Sequence, residues 1–250
     1  MPRGVNQYDE SRIQERNVAD ASSANIVSPG LVIDGLVLNL DAGNFASYPA
    51  TGTSWFDVSN NLNDGVLTGG PTYSASTGGE IVFDGTNDYV NLGDKFSVNE
   101  GTVDFWIKSA VTIDSGTTAN YRPLGKSDLY EIRWNVIAGA PVGTLCFDWG
   151  AGNDLVSTRA TWTGGVWYSI VFTWSVSQNK SNLYVQSVLD STGIANSIAG
   201  QTGNLSLGAS RGGAQGFING SISSFKIYNR PLLPGEVEQN FNATRSRFGV

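Results

Sequence analysis

Histidine is absent from the 250 residues, and cysteine occurs once, as Cys146. The first absence removes Ser-His-Asp and Cys-His catalysis and any histidine-ligated zinc. The second excludes an intrachain disulfide and a thiolate metal cluster. Cys146 lies in the strand-like run TLCFDWG and reads as a buried, reduced thiol. Charge is scarce as well. Asp, Glu, Lys and Arg make up 15% of the chain, against roughly 25% in an average domain. The balance is −7, with no cluster of Lys and Arg to reverse it locally. Such a chain repels phosphate backbones, so no nucleic-acid partner is expected. No apolar stretch approaches the roughly 20 residues of a membrane span, so no membrane partner is expected either. The opening MPRGVNQYDESRIQER lacks the apolar core of a secretory signal, which predicts a chain made in a cytoplasm without signal-directed export.

Hydrophobic residues are 40% of the chain, enough for a sizeable core, and 31 glycines supply many turns. Residues 1–30 stand apart. They alternate acids (Asp9, Glu10, Glu15, Asp20) with arginines (Arg3, Arg12, Arg16) and carry few large apolar groups. Such a segment makes no core of its own. Tyr8, Ile13 and Val18 are spaced anchors, so the expectation is an arm, extended or disordered when free, that orders on a partner.

From Leu31 the period changes to two. In YEIRWNV, Tyr130, Ile132, Trp134 and Val136 share one face, and Glu131, Arg133 and Asn135 the other. Tyr168, Ile170, Phe172 and Trp174 alternate in the same way, and TLCFDWG pairs Leu145, Phe147 and Trp149. Glycine-rich turns separate these runs, among them STGG, DGTND, WGAGND and SRGGAQG. Many short strands joined by polar turns predict an all-β sandwich or jelly roll of two antiparallel sheets over residues 31–250. A short helix is predicted near the end. Pro234 opens it, Glu236 and Glu238 sit in its first turn, and Arg245 and Arg247 come late.

Several segments, in their order along the chain, resemble the concanavalin A-like, laminin-G-like jelly roll. GLVLNLDAGNFASYP with GTSWFDVSNNLNDGVLTGGPTY resembles the entry to such domains, and FDGTNDYVNLG their most recognisable motif. GTVDFWIK, GGVWYSIVFTW and NLYVQSV resemble the central strands, and GSISSFKIYNRPLLPGEVEQNFNA the closing strand and helix. The resemblance runs from about Gly35 to Ala243. It implies that FDGTNDYV is a tight corner with Phe83 and Tyr89–Val90 facing inward and Gly85 where a side chain would obstruct. The opening and closing segments also look like proteins of tailed-bacteriophage virions. That likeness implies a non-enzymatic structural protein at the virion surface, a capsid decoration or tail component. It would be held to other virion proteins through residues 1–30, assembled as a homo-oligomer, and in contact with host-surface glycans.

Three kinds of site follow. Such jelly rolls often hold calcium, which wants six to eight oxygens. Asp84, Asn87 and Asp88 are the candidates, with Asp41 or Asp57 brought near by the fold. The closing strand has Ser223 and Ser224 where the family has acids, which weakens a calcium site, and no cofactor is required. A glycan site stacks an exposed aromatic on a sugar face. Trp149, leading the loop with Asp148, Asn153 and Asp154, is the first candidate, and Trp162 the second; a core role for each is the competing reading. Catalysis would need paired carboxylates at alternate strand positions, and none is present. Glu131 with Arg133 reads as a surface ion pair. A free lectin module is the second functional reading, and a glycoside hydrolase the third.

Overall fold

The alternation builds two eight-stranded antiparallel sheets packed face to face. The computed structural model describes residues 30–126, 130–134, 141–150, 152, 154–210 and 212–250. The arm anchors Tyr8, Ile13 and Val18 lie outside these residues, as does Asn153.

The first sheet runs β14 (Val188–Gly193), β13 (Lys180–Val185), β12 (Trp167–Ser175), β7 (Glu100–Ser109), β16 (Asn219–Tyr228), β5 (Glu80–Asp84), β4 (Thr72–Ser74). Strand β1 (Leu36–Asp41) also pairs with β16, along the half that β5 leaves open. The second sheet runs β11 (Leu155–Val156), β10 (Leu145–Asp148), β9 (Tyr130–Trp134), β8 (Leu124–Lys126), β15 (Leu205–Leu207), β6 (Tyr89–Asn91), β3 (Gly65–Thr68), β2 (Ser54–Trp55). The fold is a jelly-roll sandwich, and its core is the inward set of both sheets. Ile132, Trp134, Leu145 and Phe147 come from one sheet; Phe105, Ile170, Phe172 and Phe225 come from the other.

A helix, α1 (Pro234–Thr244), covers the outer face of the first sheet. Pro234 starts it, and the Glu236 carboxylate accepts the Leu233 N–H at 2.8 Å. Phe241 and Phe248 stack on Trp106, and the Thr244 hydroxyl accepts the indole N–H at 3.0 Å. Asn240, buried, donates to Asp104 at 2.8 Å and to the Tyr228 hydroxyl at 2.9 Å. Arg247, beyond the helix, grips both Asp41 oxygens at 2.8 and 3.0 Å and donates to Ser223 Oγ at 2.9 Å. So the serine that replaces a family acid here receives an arginine.

The FDGTNDYV corner carries the chain from one sheet to the other, β5 to β6. Asp84 Oδ1 accepts the N–H of Thr86 at 2.7 Å and, weakly, that of Asn87 at 3.4 Å, while Asp88 Oδ2 accepts the Asp84 N–H at 3.0 Å. Gly85 has φ +80°, and a Cβ there would come 3.0 Å from Asn219 Cβ. Phe83 and Val90 point into the core, as the resemblance implied. Tyr89 does not. It alternates out of β6, and Gly213 packs on its ring so closely that a Cβ would sit 2.2 Å from a ring carbon.

Candidate functional site

The outer face of the second sheet gathers polar groups that lie far apart in sequence. In β9, Tyr130, Ile132 and Trp134 point inward, so Glu131 and Arg133 point out. In β10 the same rule turns Cys146 and Asp148 out. The register sets Asp148 opposite Glu131, and Cys146 opposite Arg133. Directly opposed side chains stand roughly 5 Å apart at their Cβ atoms, near enough to interact.

Arg133 pairs with Asp148 at 2.6 Å and reaches Glu131 only at 3.8 Å. The partner of Glu131 is Arg122, at 2.7 Å, and the Ser210 hydroxyl donates to its other oxygen. Glu131 is thus a buried member of a network and not one half of a surface ion pair. The segment after β15 folds over this face to bring Ser210 in. The Arg122 N–H donates to the Gly216 carbonyl at 2.7 Å, and Gly216 lies against the Arg122 side chain, where any Cβ would clash. Two glycines of the SRGGAQG turn, Gly213 and Gly216, thus lie against a tyrosine and an arginine.

Asp154 completes the group. Its Oδ1 accepts the Trp149 N–H at 3.3 Å. Burial, and then the neighbouring Asp148 carboxylate, raise its pKa above the ordinary aspartate range. Burial likewise raises the Cys146 thiol, with Asp154 adding to it, so the thiol stays protonated and unreactive. A raised carboxyl holds its proton more tightly in the folded state. Ionised Asp154 therefore lowers stability above its folded pKa, and that cost disappears as the pH falls through it. Asp154→Asn, which keeps the Oδ1 acceptor, should raise the melting temperature at pH 7 by about 1–2 °C, a solvent-screened effect. The gap should close below about pH 4, where the unfolded carboxyl is also protonated. Glu100 and Glu236 have lowered pKa values and act with the opposite sign, so the variant is compared with the parent at each pH.

The aromatic candidates fail on geometry. Trp149 and Trp162 are each 1% exposed, and all seven tryptophans are buried. Trp149 continues the inward alternation of Leu145 and Phe147, its ring 4.2 Å from that of Phe147. Trp162 lies edge-on to Tyr168 at 5.0 Å and donates its indole N–H to the Gly143 carbonyl at 2.9 Å. Neither offers a face to a sugar. Asp148 and Asp154 do meet beside Arg133. For the calcium candidates, the corner amides take Asp84 and Asp88, Arg247 takes Asp41, and backbone amides take Asp57. Among the described residues no three His, Cys, Asp or Glu side chains gather as a metal-binding group. The sequence reading missed Arg122 and Ser210 and gave Glu131 the wrong partner. Alternation gave the outward direction of Glu131 and Asp148, but only the strand register sets them side by side.

A family model described as the concanavalin A-like lectin/glucanases superfamily matches residues 84–238. No curated relative matches the chain. Among solved structures, domain 4 of AbnA, a GH43 extracellular arabinanase from Geobacillus stearothermophilus, in complex with arabinotriose, is similar at TM-score 0.62 and 20% identity. That match covers 82% of this chain and 97% of that domain. Trypanosoma rangeli sialidase in complex with sialic acid is similar at TM-score 0.67 and 17% identity, over 96% of this chain and 39% of the sialidase. The binding domain of botulinum neurotoxin serotype D is similar at TM-score 0.61 and 12% identity, over 84% of this chain and 52% of the other. This chain thus spans well under two thirds of the sialidase and about half of the toxin domain. At these identities the likeness is one of fold.

Proposed function

The chain belongs to the concanavalin A-like lectin/glucanase superfamily, and we propose that it is a non-catalytic, glycan-recognising sandwich displayed on a bacteriophage virion and held there through residues 1–30. One observation carries the non-catalytic part. Arg122 and Ser210 bind Glu131, and Arg133 binds Asp148. A glycosidase needs one carboxyl free to give a proton and another free to attack or to activate water. Carboxylates neutralised by guanidinium groups do neither well, and on this face Arg133 and Asp148, each 16% exposed at the side chain, are the donor and the acceptor left within reach of sugar hydroxyls.

With every tryptophan buried, recognition rests on polar contacts, and a single domain binds weakly. Display in many symmetric copies answers that weakness, because linked sites gain avidity without new contacts. Domain 4 of the arabinanase AbnA, in complex with arabinotriose, supports sugar binding by a sandwich of this size. The virion reading rests on the resemblance of the opening and closing segments.

The test is a density gradient run with the full chain, and with a chain lacking residues 1–30, each mixed with phage particles from the source lysate. Both chains are also applied to a glycan array, with and without a chelator, beside Arg133→Gln. The full chain alone should band with particles. Both chains should bind the same glycans, Arg133→Gln should bind at least tenfold more weakly, and chelation should change nothing. Glycan binding by both chains with particle association by neither would make this a free lectin module. Sugar hydrolysis lost on Glu131→Gln would make it a glycosidase.

A further inference from the structure

A second polar site lies away from the second-sheet face, where the β13–β14 hairpin meets the segment after β11. A cleft of about 370 Å³ opens there, lined by Thr158, Arg159, Val185, Gln186, Leu189 and Asp190, with Val188 on its rim. The hairpin turn is tight, with Gln186 and Ser187 both at positive φ (51° and 61°), and it leaves Val188 69% and Leu189 52% exposed. Arg159 is the only cation in the lining.

Three observations make Arg159 a prepared group. Its guanidinium lies 5.5 Å from the Tyr168 ring centre and 5.6 Å from that of Trp162, so two buried aromatics hold its plane. Its backbone is fixed, because the Ser157 hydroxyl donates to its carbonyl at 2.6 Å, and Thr158 donates through its N–H and hydroxyl to Asp190 at 2.7 and 2.8 Å. Finally, it has no carboxylate partner among the described residues. Its hydrogen bond is a long one, 3.5 Å, to the Thr161 carbonyl. Arg159 is an exposed residue, so its guanidinium donors are open to solvent and to a ligand.

We infer that this cleft binds an acidic sugar through its carboxylate. The guanidinium of Arg159 presents two parallel N–H donors to the two carboxylate oxygens, the geometry that makes such pairs strong. Asp190 accepts from sugar hydroxyls beside the contacts it makes to Thr158, and the exposed Val188 and Leu189 offer aliphatic surface to the C–H face of the ring. Neutral sugars gain only the last two terms. The inference rests on the glycan-recognition reading but not on the second-sheet face.

The probes are a galacturonic-acid tetramer, the matching neutral galactose tetramer and a sulfated disaccharide, each titrated against intrinsic tryptophan fluorescence and by calorimetry. Trp162 lies beneath Arg159, so a ligand on the guanidinium should perturb its emission. The parent should bind the acidic tetramer at least tenfold more tightly than the neutral one. Arg159→Gln should lose that preference at an unchanged melting temperature, and Arg159→Lys should keep part of it. Arg133→Gln, on the other face, should leave it intact. Acidic binding that survives Arg159→Gln, equal affinity for the neutral tetramer, or tighter binding of the sulfated sugar would each overturn the assignment while leaving glycan recognition standing. Failure of every sugar here and on the array would overturn glycan recognition itself, and this site with it.

Discussion

Replacing Asp57 with alanine is expected to lower the stability of the fold by about 4 kcal/mol, a large share of the roughly 5–15 kcal/mol that holds an average domain together. The side chain is fully buried. Its Oδ1 accepts the N–H groups of Asn39 and Ser59 at 2.9 and 2.8 Å. Its Oδ2 accepts the Asn63 N–H at 3.0 Å and the Ser59 hydroxyl at 2.9 Å. These four bonds fold residues 57–64 back onto β1, and Asn63 adds a bond to the Val37 carbonyl at 2.7 Å. The loop holds Asn60 and Leu62 at positive φ (69° and 56°), a conformation Asn tolerates but one uncommon for Leu. Alanine would leave several buried amides without an acceptor, and the penalty of each unmade bond exceeds its ordinary worth. Guanidinium denaturation should report the loss as a lower midpoint at unchanged slope. Asp57→Asn should fall between, because its amide nitrogen would face a donor. An alanine variant within 1 kcal/mol of the parent would contradict the account.

The second large effect concerns Glu131. Glu131→Ala should cost about 3–5 kcal/mol, because it strands the Arg122 guanidinium, whose side chain is 9% exposed, without its carboxylate. The informative partner is the double variant Arg122→Met with Glu131→Leu, which removes both charges and refills the volume. It should recover most of the loss. If the double variant is no more stable than Glu131→Ala, the ion pair does not explain the effect. Glycan binding at Arg133 should weaken in both, since Glu131 also flanks that guanidinium at 3.8 Å.

These two residues show what local sequence can and cannot tell. The jelly roll was legible because each long strand announces its faces by period two, and Pro234 with Glu236 and Glu238 in the first turn marks the helix. The DGTND corner was legible because Asp, Gly and Asn suit an Asx turn whatever surrounds them. Trp149 was misjudged where two local signals disagree. The glycines after it suggest a loop and exposure, while alternation from Leu145 through Phe147 sends it inward, and alternation prevails because the ring fits between Phe147 and Trp174. Trp162 was misjudged because the Ile113–Trp162 bridge that pins it is a long-range pairing. The Arg122–Glu131–Ser210 group was illegible for the same reason. Its members come from a loop, a strand and a distant turn, and no spacing links them.

The place of β16 in the first sheet has a kinetic meaning. Asn219–Tyr228 is the strand on which β1, β5 and β7 all pair. On a ribosome, Leu36–Asp41 emerges early and waits, its hydrogen-bonding edge unmatched, until almost the whole domain has been made. The sheet cannot close stepwise from its N-terminal side, so the molecule should condense late and in one event, slowed by the long loop it must draw shut. Until then its apolar strands are open to wrong partners. A ribosome stalled before residue 219 should hold a chain whose first sheet is still split, with β1, β5 and β7 not yet joined.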